Sequence, residues 1–244
     1  MIKISFSWDD GAVQDLKLMD LLLRLRVPSI FFIPCINPER PTITPDQIKI
    51  LLNNGFEIGA HTYSHQYLTL VPVQQAREEI INGKDFLEQL LGQKINHFCF
   101  PGGRYNEIHL KVAQHFFTSV RTADTGALIK PGEFIVRPAF HFYNRGKNSI
   151  LLNSLKHLSP IFPAALKSTD GVNYFDYIYL IIEKLQRSNN TYFLNIWGHS
   201  WEIDEFLLWD RLQSFVNCLT ENFRDCIGSY SDILEGKQNK PLCP

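Results

Sequence analysis

Ile4-Ser5-Phe6-Ser7-Trp8-Asp9-Asp10-Gly11 is an apolar strand that ends in two adjacent carboxylates and a glycine. Neighbouring acids repel one another unless they are solvated or a positive charge lies beside them, and a bound cation is an economical source of that charge. Asp-Gly is also an ordinary turn signal, so the stretch alone fits a surface turn equally well. The residues that follow decide between these readings.

Residues 12–26 carry apolar side chains at helical spacing and are closed by Val27-Pro28. Residues 29–33 form a short, wholly apolar run, as expected of a strand buried on both faces. Thr44-Pro45-Asp46-Gln47 supplies an N-cap threonine, a proline at the first helical position and a glutamine at N3, a capping-box signature for a helix that stops near Asn54-Gly55. A third strand, 56–60, runs directly into His61, a helix follows over 72–91, and a fourth strand, 96–100, is broken by Pro101-Gly102-Gly103.

Strand and helix thus alternate in the βαβ rhythm of a parallel sheet. Beyond residue 105 the pattern loosens: helical over 107–117, 148–158, 172–187 and 207–223, strand-like over 118–122, 135–138 and 191–197. No linker-like composition interrupts the 244 residues, so residues 1–244 are expected to form one domain. Seven or eight βα units predict an α/β fold, a distorted, TIM-like (β/α) barrel with about seven parallel strands. The doubly wound alternative is weakened because no glycine-rich dinucleotide loop follows the first strand.

A net charge of −1 without charge blocks predicts neither a nucleic-acid face nor a polybasic membrane patch. Cys35, Cys99, Cys218, Cys226 and Cys243 are scattered and form no C-x-x-C, so reduced thiols are expected. No run approaches the roughly 18 apolar residues of a membrane span. Met1 leads straight into strand-like sequence, so the expected location is cytoplasmic.

Asp9, Asp10, His61, His65, Gly102, Gly103 and His199 all fall just after predicted strands. In a βα barrel those points converge on the rim that carries the active site. His61 and His65 lie four positions apart, a spacing that on a helical turn turns both imidazoles toward one ion. With an acid at the end of strand one they make a two-histidine, one-carboxylate ligand set that leaves room for water. Zn2+ is the default cation, and Co2+, Ni2+, Fe2+ and Mn2+ suit the same donors.

The order Ser7-Trp8-Asp9-Asp10-Gly11, His61-Thr62-Tyr63-Ser64-His65, Phe100-Pro101-Gly102-Gly103-Arg104-Tyr105-Asn106 and a late strand ending at His199 resembles the polysaccharide deacetylase, or NodB-homology, family of carbohydrate esterases. The resemblance implies Asp9 as general base, Asp10, His61 and His65 as metal ligands, and His199 as general acid. It implies hydrolysis of N-acetyl, or sometimes O-acetyl, groups on sugars. Metal-activated water, a sink for charge on the carbonyl oxygen and a proton for the departing amine are what amide hydrolysis requires. Backbone N–H groups around Gly102, Gly103, Arg104 and Tyr105 are the expected oxyanion partners, and Tyr105 and Trp201 the expected sugar contacts.

The sequence also departs from the family pattern. Phe100 stands where many members carry an arginine that holds the catalytic aspartate, leaving Arg104, Arg121 and Arg137 as substitutes. Gly102 takes the place of an oxyanion-site residue. Asp124 is a candidate partner for His199, although a plain turn role suits it better. Glu202, Asp204 and Glu205 read as a solvated helix start. His97, His109, His115, His141 and His157 lack matching partners and receive no role. The resulting expectation is a metal-dependent carbohydrate N-deacetylase that releases acetate and a free amine from an N-acetylated saccharide or glycan precursor. The alternatives are a small-amide or imide hydrolase of the same superfamily and a non-catalytic sugar-binding barrel, the last supported by Phe100.

Overall fold

The computed structural model describes residues 1–167 and 173–236. Eight parallel strands lie in the order β6-β5-β4-β3-β2-β1-β8-β7. They are β1 (Ile2–Asp9), β2 (Ser29–Ile33), β3 (Glu57–Ala60), β4 (His97–Cys99), β5 (Ser119–Arg121), β6 (Ile135–Val136), β7 (Phe140–His141) and β8 (Tyr192–His199). The two edge strands, β6 and β7, are consecutive in the chain and separated by only three residues. Four Cα steps span at most about 14 Å, whereas eight strands laid flat at about 4.8 Å spacing would put their edges roughly 34 Å apart. The sheet therefore curls into a distorted (β/α) barrel, and among the described residues no β6–β7 ladder closes it.

Helices cover the outside because each crossover must return along a sheet face. They are α1 (Asp15–Leu25), α2 (Pro45–Asn53), α3 (Val73–Leu91), α4 (Glu107–Gln114), α5 (Lys147–Lys156), α6 (Ile161–Leu166), α7 (Tyr174–Gln186), α8 (Ser200–Glu205), α9 (Trp209–Phe223) and α10 (Tyr230–Leu234). The Thr44 capping box forms as its sequence predicts. Gly92 ends α3 in the left-handed conformation, with φ 65°. β1 is the centre of the sheet: Ile2, Ile4, Phe6 and Trp8 are fully buried, and all eight of its residues pair with β8.

The late half departs most from expectation. The strand expected over 135–138 stops at Val136, since Pro138 cannot donate to a ladder. β7, α6 and α10 had no sequence signal, being short elements held by packing. The expected helix 172–187 is observed from Tyr174; Val172, like Cys243, lies outside the described residues. Among the described residues no helix is long and apolar enough to cross a membrane.

Candidate active site

The carboxyl ends of β1, β3, β5 and β8 surround a cleft of about 510 Å³. Asp9, Asp10, His61, His65, Gly102, Gly103, His199 and Trp201 all line it, so the barrel gathers the residues expected at its rim. Asp9 and His199 are register partners at the ends of adjacent strands. After Asp9 the chain turns sharply, with Asp10 at φ 81° and Gly11 at φ 60°. A Cβ on Gly11 would meet Ile33 Cγ2 at 2.9 Å, which is why glycine occupies the turn.

Asp9 is buried and paired with Arg121, a fully buried guanidinium at the end of β5. Burial alone would pull the Arg121 pKa down, but the Asp9 charge raises it, so the guanidinium stays charged. Arg121 also donates to Thr122 O at 3.0 Å and packs over the Trp197 ring at 4.5 Å. Of the three arginines considered, the other two are committed elsewhere: Arg104 lies over Tyr67, and Arg137 pairs with Asp124. Arg121 on β5 is thus the guanidinium that meets Asp9. Asp9 Oδ1 is buried without a hydrogen-bond partner, which leaves one acceptor oxygen for an incoming proton.

Asp10 Oδ1 lies 3.0 Å from His65 Nε2 and 3.4 Å from His61 Nε2. His61 Nδ1 is 2.8 Å from the Cys99 carbonyl oxygen, which only accepts, so Nδ1 carries the hydrogen and Nε2 points at Asp10 with its lone pair. A bare lone pair facing a carboxylate calls for a cation between them. Bonds of about 2.0–2.2 Å at tetrahedral angles put two donors roughly 3.3–3.6 Å apart, close to the His61 spacing and slightly above the His65 spacing. The donor set therefore fits a divalent cation. Burial acts to raise the Asp10 pKa, but the charge of His199 holds it well below the usual carboxylate range. Trp201 Nε1 donates to the other oxygen, Oδ2, at 2.8 Å.

The two histidines do not lie on a helical turn, contrary to the reading of their spacing. Residues 61–67 are an irregular loop with Thr62 at φ 66° and His65 at φ 55°. It is tied to α3 by Glu79, whose carboxylate accepts from Ser64 N at 2.7 Å and Ser64 Oγ at 2.6 Å. Gly83 lets α3 approach so closely that a Cβ there would lie 2.6 Å from Thr62 C.

His199 takes its partner from an unexpected place. Its Nδ1 donates to Glu202 Oε2 at 2.6 Å, and the same oxygen accepts from His141 Nε2 at 2.8 Å. Glu202 is buried, not solvated, and these two imidazoles hold its pKa at about 2 against the upward pull of burial. Burial would lower the His199 pKa, but Asp10 and Glu202 raise it. Asp124 instead pairs with Lys156 at 2.9 Å and His157 at 3.2 Å and does not itself line the cleft. The i, i+3 spacing of His199 and Glu202 was the available sequence signal; His141, at the end of a two-residue strand, had none.

In the Pro101–Arg104 turn, Gly103 N donates to Phe100 O at 2.9 Å and Arg104 N to Pro101 O at 3.2 Å, so neither amide is free for an oxyanion. The glycines make room instead: a Cβ on Gly102 would lie 2.7 Å from the Tyr67 ring, and one on Gly103 2.6 Å from Ala123 Cβ. Tyr105 stacks on Phe100, with ring centroids 4.7 Å apart, and like Arg104 it is not among the residues lining the cleft. One face of Trp201 is covered by Arg40, at 3.6 Å from the ring centre.

Fold and site together define a parallel (β/α) barrel with a polar, cation-competent cluster at its carboxyl rim. The family model described as polysaccharide deacetylase matches residues 2–117. Over 127 residues it is 32% identical to a peptidoglycan-N-acetylglucosamine deacetylase of Bacillus cereus, an alignment covering 50% of this chain and 45% of that protein. The chain spans about half the length of such curated relatives. Its fold is shared with a solved peptidoglycan N-acetylglucosamine deacetylase (TM-score 0.61, 20% identity, 98% of this chain and 90% of that one). It is shared equally with a family 4 carbohydrate esterase pseudoenzyme of Bacillus anthracis (TM-score 0.59, 13% identity, 98% of this chain and 68% of that one). The fold thus accommodates active and inactive members, and the site has to carry the case for catalysis.

Proposed function

We propose that this protein is a metal-dependent hydrolase that removes the N-acetyl group from an amino sugar of a glycan, releasing acetate and a free amine. The observation that carries the reading is the pairing of buried Asp9 with Arg121 beside the Asp10, His61 and His65 donor cluster. Asp10, His61 and His65 would hold the cation, which when bound polarises the acyl carbonyl and acidifies water. Asp9 Oδ1 accepts the proton of the attacking water while Arg121 holds the carboxylate in place. His199, whose pKa Asp10 and Glu202 raise against the pull of burial, delivers a proton to the departing nitrogen. Gly102 and Gly103 let Tyr67 and Ala123 pack closely against the turn that borders the cleft.

The absence of the usual arginine at position 100 no longer favours a non-catalytic barrel, since Arg121 supplies the guanidinium. The intact ligand triad disfavours a metal-free imide hydrolase. The curated relatives are named for peptidoglycan, so N-acetylglucosamine within a peptidoglycan-type glycan is the substrate class of choice. The test is acetate release from N-acetylglucosamine oligomers and from muropeptides by Zn2+- or Co2+-loaded protein. Ring opening of an imide without acetate release from any glycan would overturn the reading.

A further inference from the structure

We propose that His141, held by Arg145 and Trp197, is a positioning residue that fixes the Glu202 carboxylate on His199 and so keeps His199 aimed into the cleft. The proposal deepens the reaction proposed above and rests on it. His141 is 2% exposed. Its ring stacks on Trp197 with centroids 4.0 Å apart and planes 10° from parallel. Arg145 Nε, which can only donate, meets His141 Nδ1 at 2.9 Å, so Nδ1 is the acceptor and the single hydrogen sits on Nε2, directed at Glu202. Burial lowers the His141 pKa to about 4, so the ring is neutral near pH 7 and has one tautomer.

The chain Arg145 to His141 to Glu202 to His199 is therefore oriented at every link. Stripped of His141, the Glu202 carboxylate would keep one partner and gain rotational freedom in a cavity, and the ring it holds would follow. The three groups also resemble a second cation site, since their donor atoms all lie within 4.8 Å of one another. The separations decide against that: 2.6 and 2.8 Å are hydrogen-bond lengths, shorter than the roughly 3.3–3.6 Å between ligands of a tetrahedral ion, and a guanidinium already caps the outer nitrogen.

The test uses the metal-loaded protein and N-acetylglucosamine oligomers. His141→Phe should lower kcat about 10- to 100-fold, part of the about 10²–10⁴ a general acid provides, with KM and metal content unchanged. His141→Gln, whose amide reproduces both the acceptor and the donor, should recover to within about threefold of the parent. Combining His141→Phe with Glu202→Gln should cost no more than Glu202→Gln alone. Unchanged kcat in His141→Phe, no rescue by glutamine, or additive losses would each overturn the proposal. A crystal structure of His141→Phe gives a readout independent of turnover. Displacement of the Glu202 carboxylate from His199 supports the positioning role, and an undisturbed pair refutes it. A parent protein that deacetylates nothing sinks the proposed function, whereas the crystallographic test of His141 still holds.

Discussion

Asp9 and His199 are register partners in the β1–β8 ladder, so the proposed base and acid stand side by side at the ends of adjacent strands although 190 positions separate them. Each is backed by a buried group of opposite charge from another element, Arg121 behind Asp9 and Glu202 behind His199. That symmetry of support underlies the first predictions.

Replacing Asp9 with asparagine removes the proton acceptor while preserving shape. kcat for acetate release should fall by about 10²–10⁴, with the metal content of the purified protein unchanged by elemental analysis. Equal loss of metal would show that Asp9 is a ligand.

Arg121→Met leaves the Asp9 charge buried and unpaired. Breaking a buried ion pair from one side costs about 3–5 kcal/mol, so the urea midpoint should drop accordingly. Adding Asp9→Asn to that variant should restore part of the loss, because the uncompensated charge is then gone.

His61→Ala or Asp10→Asn should abolish stoichiometric Zn2+ or Co2+ binding as measured by calorimetry. A wild-type protein stripped with a chelator should lose acetate release and regain it on adding either ion. Retention of tight binding by both variants would remove the assigned ligand set.

His97 provides a pH test away from the cleft. It is buried between Ser119 Oγ and Ser231 Oγ, each 2.8 Å from a ring nitrogen, and burial lowers its pKa to about 4. Below the ordinary value near 6.5 the unfolded chain takes up a proton that the folded protein refuses until about pH 4. The stability contribution is therefore fully present above pH 6.5 and is lost on acidification toward pH 4, at up to about 1.4 kcal/mol per pH unit. His97→Gln keeps a hydrogen-bonding side chain without the titration. Denaturation between pH 7 and 4 should show a flatter decline for the variant.

Local sequence determined the regular first half. Alternating apolar runs and capped helices are short-range signals, and the Thr44 capping box and the Gly92 stop both form where those signals lie. The motifs at 9–11, 61–65 and 199 were legible because each follows a strand whose end is fixed by its own hydrophobicity. The tertiary structure alone decided what stands behind them. The guanidinium for Asp9 comes from β5, the carboxylate for His199 from α8, and the ring that steadies that carboxylate from a two-residue strand. Only His199 and Glu202, three positions apart, leave a spaced trace; the Asp9–Arg121 and Glu202–His141 partnerships leave none, because a buried charge there is satisfied by whichever group the curled sheet brings within hydrogen-bonding distance.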